Sequence, residues 1–414
     1  MTRSTNTDYD VVIVGAGIVG ATLACALAIS KLRIAVVEHT QPLSAPTGDY
    51  DLRVSAITPG SRVILDGVGA WSGIDQERVC PVEQMHVWDA GGAGAIHFDS
   101  ADIGEPNLAY IIENNAIRAA LIERIERCSN VQLCCPRDVD TIDVADSRVT
   151  LRLTDGTQIG ASVVIGADGP RSRVRQQAGI DLTVWGYAQQ AIVATVTTEK
   201  SHKNTAWQRF LSTGPLAFLP LADGRCSIVW SADSEQADIL LAHDDAQFLE
   251  ALATAFGDRL GAVGATSARA AFPLQRAHAK RYVDSRIALI GDAAHTVHPL
   301  AGQGVNLGLL DAAVLAEVLL DADGAGRDIG SLRMLRRYER WRKGDNLAML
   351  AVTDGLKRLF GNSMEAVARV RNLGLDVTDS IQPVKNMFMR RAAGLNGDLP
   401  RLARGLSAVS AEPR

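Results

Sequence analysis

The chain has 414 residues, enough for roughly two or three domains with a sizeable hydrophobic core. Hydrophobic residues make up 47% and charged residues 21% of it, and the mean hydropathy is +0.05, which excludes disordered, collagen-like and polytopic membrane proteins. A formal net charge of -5 provides no basic surplus for binding nucleic acid. The six cysteines show no C-x-x-C spacing, so we expect neither a disulfide framework nor a metal site. The polar N-terminus lacks the cationic start of a secretory signal, which predicts a cytoplasmic protein.

The first predicted element is a β-branched strand, Val11–Val14, which leads into Gly15, Gly17 and Gly20 and then into a helix. This order is typical of dinucleotide-binding turns. In such a turn Gly15 permits the tight bend, Gly17 lets the backbone approach a pyrophosphate, and Gly20 lets the helix pack closely on the strand. The pattern predicts that the helix N-terminus faces the phosphate charge.

A second strand, Ile34–Val37, follows and ends in Glu38, 18 residues after Gly20. An acidic side chain at this place can accept hydrogen bonds from the adenosine ribose hydroxyls. The uncharged stretch Val11–Ile29 is also long enough for a membrane span, but a span predicts no strand and acid directly after it. Ordinary turn glycines remain the alternative to a nucleotide site.

Two later segments also run from an apolar strand into a glycine turn. Val163–Ile165 leads into the turn that holds Asp168, and Ile287–Ile290 leads into the turn that holds Asp292. Because the carboxyl ends of parallel strands meet at one edge of a sheet, we expect the three turns to bind one extended cofactor.

The residues after the third strand favour a flavin. Asp292 is placed to hydrogen-bond a ribityl hydroxyl, and a helix begins near Gly304. The backbone amides of Gly304, Val305 and Asn306 can stabilise negative charge on a flavin ring. Only a long cofactor such as FAD needs both contacts.

The three turns together resemble those of the class A flavin monooxygenases, the group that contains para-hydroxybenzoate hydroxylase: GAGIVG, GADGPRSRVR and GDAAHTVHPLAGQGVNLG. Within this group the chain is similar to the ubiquinone-biosynthesis hydroxylases, above all those acting on 2-polyprenylphenol, in the segments LRVSAI, IIENNAIRAAL, AFLPLADGRCSIVWS, HPLAGQGVNLGLLDAA and RYERWRK. The likeness runs from about residue 9 to about residue 400.

The resemblance implies an α/β protein with a Rossmann-like FAD-binding domain of the para-hydroxybenzoate hydroxylase type, an inserted β-sheet substrate domain and a C-terminal helical region. It divides the chain into FAD-binding parts 1–75, 111–180 and 281–330, substrate-domain strands 76–110, a β-sheet substrate domain 181–280, and a basic helical region 331–414. The sequence contains no second strand-glycine-helix unit of the dinucleotide-binding type, so NAD(P)H is expected to bind transiently as co-substrate.

The resemblance also assigns residues to the cofactor: Gly15, Gly17, Gly20 and Glu38 to the adenosine and pyrophosphate, Arg53 and Arg118 along its length, and Asp168 and Asp292 in the Asp-Gly and Gly-Asp motifs. Two alternatives stay open. Asp168 can be only a turn former, and Arg118 only a solvated helix residue.

The activity that the resemblance implies is hydroxylation of the aromatic ring of a lipophilic polyprenylphenol-type intermediate in ubiquinone biosynthesis, with O2 and a flavin C4a-hydroperoxide. His298 and Pro299 lie where the family packs a loop over the reactive ring. His298 either accepts the phenol proton or shapes the pocket, and His295 is expected to be structural. Another ring position or another phenol, a flavin oxidase or dehydrogenase, and a non-catalytic prenyl-binding protein are the alternatives.

Four aromatic residues admit two interpretations, an apolar substrate chamber or plain core: Trp88, Trp207, Phe218 and Trp230. The last region, 331–414, carries 16 Lys+Arg against 8 Asp+Glu. It forms either a solvated basic face or, as we favour for so insoluble a substrate, a surface that contacts the inner face of the membrane or an assembly of ubiquinone-biosynthesis proteins. Its candidate residues are Arg336, Arg337, Arg340, Lys343, Met387, Phe388, Met389, Arg390 and Arg391.

Overall fold

The computed structural model describes residues 7–41, 44–92, 94–296, 304–360 and 381–408. In chain order the strands are β1 (Thr7–Val14), β2 (Ile34–Val37), β3 (Val54–Ile57), β4 (Cys80–Val82), β5 (Gln84–Asp89), β6 (Ala95–Asp99), β7 (Ala109–Glu113), β8 (Val131–Cys134), β9 (Val139–Val144), β10 (Val149–Leu153), β11 (Gln158–Gly166), β12 (Leu182–Thr198), β13 (Thr205–Leu211), β14 (Gly214–Pro220), β15 (Cys226–Asp233), β16 (Val263–Thr266), β17 (Ala270–Ala279), β18 (Val283–Asp284), β19 (Ile287–Leu289) and β20 (His295–Thr296). The α-helices are α1 (Ile18–Leu27), α2 (Pro59–Gly67), α3 (Asn114–Glu126), α4 (Arg173–Gln177), α5 (Ser234–Ala242), α6 (Asp245–Phe256), α7 (Gly304–Gly324), α8 (Leu332–Phe360) and α9 (Gln382–Ala392).

A largely parallel sheet forms the first layer, in the order β18-β19-β11-β1-β2-β8, with β10 and β9 added beside β11. Strand β1 pairs in parallel with β11 and β2, and β11 pairs in parallel with β19. The register sets Val14 beside Gly166 and Val37, and Gly166 beside Leu289. The prediction that the three strand ends converge is therefore confirmed, and so is the predicted α/β fold.

Burial explains why this sheet is so apolar. Residues Val11 to Val14 and all of β2 are buried, because helices α1, α3 and α7 pack together against the sheet. A parallel strand covered on both faces reads as a continuous hydrophobic run rather than an alternating one. The uncharged stretch 11–29 is accordingly a strand, a turn and a helix. In the part of the chain that the structure describes, no helix has the length and apolar character to cross a membrane.

A second, nine-stranded sheet has the order β20-β17-β12-β15-β14-β13-β5-β6, with β16 beside β12. A hairpin turn at Asp223-Gly224 joins β14 to β15. One face of this sheet packs under α6, where Phe248 and Phe256 are fully buried. The other face packs on a three-stranded sheet, β3-β7-β4, through Ala217 and Leu219 against Ala56. The second sheet therefore lies directly against the part of the fold that follows β3.

The four aromatic residues that had two interpretations belong to the α6 side of this sheet. Phe218 lies 3.9 Å from Phe256 between ring centroids, and Trp88 lies 5.3 Å from the same ring. Trp230 is buried and Trp207 packs on the same cluster. The interpretation as plain core is confirmed for these residues, since they face the helix and not the first sheet.

The segments predicted as domains share sheets across their limits. Segment 76–110 supplies β5 and β6 to the nine-stranded sheet, but its β4 pairs with β7 in the three-stranded sheet. Strand β20, predicted within a cofactor-binding part, pairs with β17 of the nine-stranded sheet. The domain limits stay a prediction.

The C-terminal region is helical as predicted, in α8 and α9, but its last residues pack against α7 and the main core. Arg401 pairs with Glu317 and Asp321 of α7, at 3.5 and 2.7 Å. Leu402 and Ala403 are buried in the main core. Part of the positive charge of this region is therefore neutralised within the fold rather than offered to solvent.

Candidate cofactor site

The turn after β1 combines tight packing with one open position. Gly15 has φ +104°, and a Cβ there would lie 2.4 Å from the Ala167 oxygen. A Cβ at Gly20 would lie 2.1 Å from the Gly15 oxygen, whereas a Cβ at Gly17 would meet no atom within 4 Å. Gly15 and Gly20 thus serve packing between protein elements, and Gly17 borders open space.

Helix α1 starts at this open space without a side-chain cap. Gly17 is its N-cap residue and provides no side-chain hydrogen bond, and its first turn carries no acidic residue. The first N–H groups of such a helix therefore lack intrahelical acceptors and carry the positive end of the helix dipole. An anionic group placed over Gly17 would supply the missing acceptors.

Glu38 follows β2 and lies against the same turn. Its Oε2 accepts from the Ala16 N–H at 2.7 Å, and its Oε1 accepts from the N–H and hydroxyl of Thr40 at 3.0 and 2.9 Å. Burial alone would raise the pKa of Glu38, but the hydrogen bonds from Thr40 and Ala16 and the charge of Arg118 outweigh it, and the pKa is lowered. Glu38 is therefore a fixed carboxylate with acceptor capacity left on Oε2.

Arg118 reaches from α3 to the same turn. Its Nε donates to the Ala16 oxygen at 3.0 Å, and its Nη2 lies 3.6 Å from Glu38 Oε2. The side chain is only 19% exposed, so Arg118 is not the solvated helix residue of the alternative interpretation. Within the described ranges, the buried Nη2 has no hydrogen-bond partner, which leaves a charged donor for a group lying along the turn.

Asp168 follows β11, and one of its oxygens is used by the fold. Its Oδ2 accepts from the backbone N–H groups of Arg173 and Val174 at 2.7 and 3.2 Å, at the start of α4. The turn-forming interpretation is therefore confirmed for this oxygen. The buried Oδ1 has no partner among the residues that the structure describes. Burial raises the pKa of Asp168, although hydrogen bonds from Ser172 and Val174 act against it.

Asp292 follows the third strand and differs from the other two acids. It is exposed, and its carboxylate has no hydrogen-bond partner in the described part of the chain. Burial nevertheless raises the pKa of Asp292, against the charges of His295 and Arg53. Asp292 is thus exposed at the carboxyl ends of the parallel strands, and we call the open space there the cleft.

Arg53 and the nine-stranded sheet lie near this cleft. The Arg53 guanidinium lies 5.3 Å from the centroid of the Phe272 ring on β17. Arg53 is exposed, and Phe272 is 36% exposed. The cleft at Asp292 therefore opens between the ends of the parallel strands and the second sheet.

Helix α7 begins beside the cleft. A Cβ at Gly304 would meet no atom within 4 Å, so the helix start borders open space as Gly17 does. The Asn306 side chain is turned into the protein, where Oδ1 accepts from the Thr58 N–H at 3.0 Å and Nδ2 donates to the Ala56 oxygen at 2.8 Å. Asn306 thereby fixes the helix start against the β3-α2 turn, while the backbone amides of Gly304, Val305 and Asn306 lie in the first helical turn, where N–H groups lack intrahelical acceptors.

The two catalytic candidates, His298 and Pro299, lie outside the described residues, so their roles stay predictions. His295 is buried, and its Nε2 lies 2.5 Å from Asp311 Oδ2. This contact is the structural role that we expected for His295.

The structure adds a buried ionic cluster that the motifs do not indicate. Asp311 of α7 pairs with His295 and with Arg342 of α8, whose Nε lies 2.8 Å from Oδ1. Burial alone would raise the pKa of Asp311, but His295 and Arg342 outweigh it and lower the pKa to about 2. One sequence signal was available, since Asp311 and Glu317 are charged residues inside the otherwise apolar run of α7.

These groups fit FAD. Four groups lie at the ends of adjacent parallel strands: the uncapped start of α1, the open start of α7, and Arg118 Nη2 and the Asp292 carboxylate, which have no hydrogen-bond partner among the described residues. Donors at the first turn suit a pyrophosphate, a carboxylate further along suits hydroxyl groups, and a helix N-terminus suits a ring that gains negative charge.

Comparison with known proteins agrees with this geometry. Residues 8–344 match the family model described as FAD binding domain. The chain is 41% identical to ubiquinone hydroxylase UbiL of Rhodospirillum rubrum over 409 residues, covering 98% of this chain and 95% of that protein. It is 38% identical to the 3-demethoxyubiquinol 3-hydroxylase of Escherichia coli, covering 94% of this chain and 100% of that protein.

Solved structures give the same result for the fold. PqsL of Pseudomonas aeruginosa in complex with 2-aminobenzoylacetate superposes with a TM-score of 0.77 at 25% identity, covering 90% of this chain and 100% of that one. The p-nitrophenol 4-monooxygenase PnpA of Pseudomonas putida also gives a TM-score of 0.77, at 21% identity, covering 95% and 99% of the two chains, and shows the fold alone. The chain therefore belongs to the FAD binding domain family and, within it, to the FAD-dependent monooxygenases of the ubiquinone-biosynthesis hydroxylase group.

Proposed function

We propose that this enzyme uses FAD, NAD(P)H and O2 to hydroxylate the aromatic ring of a polyprenylphenol-type intermediate of ubiquinone biosynthesis. One observation carries the proposal: the carboxyl ends of three parallel strands meet at one edge of the first sheet, and Arg53 near that edge contacts the exposed Phe272 ring of the second sheet. The relatives named for ubiquinone hydroxylation support the substrate class. They do not share one ring position in their names, so the carbon attacked is left open.

The cofactor-binding roles follow from the contacts of each residue. Glu38 and Arg118 hold the adenosine end beside Ala16, the start of α1 holds the pyrophosphate over Gly17, and Asp292 accepts from the ribityl hydroxyls. When bound, FAD supplies the activation of O2 and the transfer of one oxygen atom to the ring. The backbone amides at the start of α7 stabilise negative charge on the flavin ring.

In this proposal the nine-stranded sheet helps to exclude water from the reacting groups. Ala217 and Leu219 on its inner face pack against the three-stranded sheet, and Val229, paired with Ala217 on the same face, is only half-buried. With Phe272 near Arg53, this face is apolar enough for a prenylated ring. Excluding water favours transfer of oxygen to the ring over release of hydrogen peroxide. We assign shaping of the flavin-side loop to His298 and Pro299, with proton acceptance by His298 as the alternative.

NAD(P)H binds at no separate nucleotide fold in this proposal, because the sequence holds a single glycine-rich unit of that type. The reductant is expected to bind transiently, to reduce the flavin and to leave before the ring is hydroxylated.

The test is a coupled assay on the purified, FAD-loaded protein. NADH or NADPH is supplied with O2 and a phenol that carries a short prenyl chain, and the product is identified by mass spectrometry. We expect consumption of one reductant to match formation of a hydroxylated ring. Hydrogen peroxide without hydroxylated product for every phenol would favour an oxidase. A colourless protein that cannot bind FAD would favour a non-catalytic prenyl-binding protein.

A deletion strain tests the place in ubiquinone biosynthesis independently of purified protein. Mass spectrometry of the quinone precursors that accumulate should show a prenylated ring lacking one hydroxyl group, and the missing hydroxyl identifies the carbon. An unchanged precursor profile would contradict the proposed pathway while leaving the coupled assay to decide the chemistry.

We further propose that α9 contacts an anionic membrane surface. Met387 and Phe388 are 55% and 52% exposed, and Arg391 beside them is exposed. Arg390 and Lys385 contribute less, because Arg390 donates to the Ile103 oxygen at 2.8 Å and Lys385 pairs with Asp102 at 3.3 Å. An apolar pair next to a basic group suits the surface of a bilayer that holds the lipophilic phenol.

A further inference from the structure

Asp311 connects four elements around the cofactor cleft. It lies on α7, and its Oδ2 accepts from the backbone N–H of Gly291 at 3.1 Å as well as contacting His295. Its Oδ1 accepts from Arg342 at 2.8 Å and from Asn346 at 3.2 Å, both on α8. Every acceptor site of this carboxylate is thus directed to a group in another element.

The contact with Gly291 lies next to the residue that faces the cofactor. Gly291 has φ +59°, and a Cβ there would press on Val19 of α1 at 3.3 Å, so the turn is confined on that side by packing. On the other side the turn is held by the hydrogen bond to Asp311. Asp292 comes next in the chain and has no hydrogen-bonded side-chain contact of its own in the described ranges. The direction of its carboxylate therefore depends on the backbone turn that Asp311 holds.

Arg342 and His295 keep Asp311 charged inside the core. All three side chains are buried, with 4%, 1% and 0% of the Arg342, His295 and Asp311 side chains exposed. A carboxylate removed from water is retained as an anion only when such partners surround it. A charged acceptor makes a stronger hydrogen bond to Gly291 than a neutral one would.

We infer that Asp311 is a positioning residue for the cofactor: through the Gly291 amide it aims Asp292 at the ribityl chain, and α8 supplies its counter-charge through Arg342. The inference rests on the proposed role of Asp292. It deepens that role, since it makes the third strand end dependent on a residue that never touches the cofactor.

The test is a double-mutant cycle on the affinity of the full-length apoprotein for FAD, followed by quenching of flavin fluorescence. Asp311→Asn keeps the shape of the side chain but offers Gly291 and Arg342 only one neutral acceptor. In the parent background we expect the Kd for FAD to rise about tenfold. In the Asp292→Asn background the same change should alter the Kd less than about twofold, because the group that Asp311 aims is already removed.

Glu317→Gln is the matched control. Glu317 lies on the same helix, is buried, and pairs with Arg401 away from the cleft. Its replacement also removes a buried, ion-paired carboxylate from α7. The effect on the Kd for FAD should be small, and equal in the parent and Asp292→Asn backgrounds. Equal effects of Asp311→Asn in the two backgrounds would overturn the inference, because a purely structural carboxylate acts independently of Asp292.

Arg342→Gln provides a second variant in case Asp311→Asn does not fold. It removes the counter-charge and leaves the contact with Gly291 in place, so the same cycle with Asp292→Asn should again give less than additive effects. Additive effects for Arg342→Gln would count against the inference. If Asp292→Asn alone leaves FAD affinity unchanged, the role of Asp292 fails and the inference with it, whereas the hydroxylase activity is judged separately by the coupled assay.

Discussion

At the end of β2, the Glu38 carboxylate takes three hydrogen bonds from Ala16 and Thr40 and lies beside Arg118. At the end of β19, the Asp292 carboxylate takes no hydrogen bond within the described ranges and is exposed to the cleft. The proposed adenosine end of the site is therefore already held in place by groups close to the turn, whereas the other end is the proposed ribityl end. At the ribityl end, only the backbone is held, and it is held from behind by Asp311 of α7.

Because the two carboxylates differ in their contacts within the protein, substitutions at them should affect folding stability and FAD affinity differently. A residue that is bonded within the protein contributes to folding and to binding together, whereas a residue that faces an open cleft contributes to binding alone. The same substitution at the two ends should therefore change different measured quantities.

The largest loss of FAD binding is expected from a substitution in the glycine turn after β1. Gly17→Val would fill the open position over which the pyrophosphate is proposed to lie, and we expect a folded apoprotein without bound flavin. Flavin absorbance of the purified variant measures this. Gly186→Val on β12 is the control, because a Cβ there also meets no atom within 4 Å but lies away from the turn. A yellow Gly17→Val protein with full flavin content would show that the phosphate lies elsewhere.

Glu38→Ala should weaken both binding and folding. The loss of a charged partner costs about 1.5–3 kcal/mol, or one to two decades in FAD affinity. The Ala16 N–H also loses its acceptor and Arg118 loses its ion-pair partner, so the apoprotein should melt several degrees lower, roughly 2–4 °C per kcal/mol. Calorimetry of the apoprotein and titration with FAD measure the two effects. An unchanged melting temperature would mean that the contacts around Glu38 form only with the ligand.

Asp292→Ala should lower FAD affinity by a similar factor and leave the melting temperature of the apoprotein unchanged, since its carboxylate bonds to no described group. The pair of variants compares the two ends directly. If Asp292→Ala lowers the melting temperature as far as Glu38→Ala does, the two ends are built alike. If both variants retain FAD as tightly as the parent, neither acid binds the cofactor.

The sequence predicts the adenosine end better than the ribityl end for a physical reason. Gly15, Gly20 and Glu38 act through neighbours a few positions away or through the adjacent strand, so their spacing records their roles. The Asp311 cluster joins residues 16 and 31 positions apart through side chains, and a sequence pattern records no such distance. Asn306 was predicted for its backbone amide, but its side chain is used to fix the β3-α2 turn. The aromatic side chains of the second sheet were undecidable because alternation shows which residues share a face and not what covers that face.

The stability of the contact between the nine-stranded sheet and Tyr282 should decrease in acid. His278 on β17 is buried and contacts the Tyr282 hydroxyl at 3.0 Å, and burial, with the charge of His295, lowers its pKa to about 4. The unfolded chain takes up this proton near pH 6.5, so the stability that His278 provides is full above that pH and is lost as pH falls toward 4. The loss should be at most about 3 kcal/mol. Urea titrations at several pH values give the free energy of unfolding as a function of pH. Over this range the free energy should change less steeply with pH for His278→Gln than for the parent. An unchanged pH dependence would place the protonation on another group.

The smallest effect is expected for α9, where the substituted side chain is exposed. Truncating the chain before α9 is unsuitable, because the Ala393 oxygen accepts from the Gly60 N–H at 3.1 Å and Leu402 lies in the main core. Phe388→Ser changes only an exposed ring, and we expect binding to anionic vesicles to weaken several-fold, since partial insertion of one ring contributes about 1 kcal/mol. Leu406→Ser is the control, because Leu406 is 54% exposed in the same region but outside α9. FAD content should be unchanged in both variants.

Two outcomes would contradict the proposed membrane contact. Equal co-sedimentation of parent, variant and control at low salt would leave only the solvated-face interpretation of the tail. Vesicle binding that does not weaken as salt rises would exclude a contribution from Arg391.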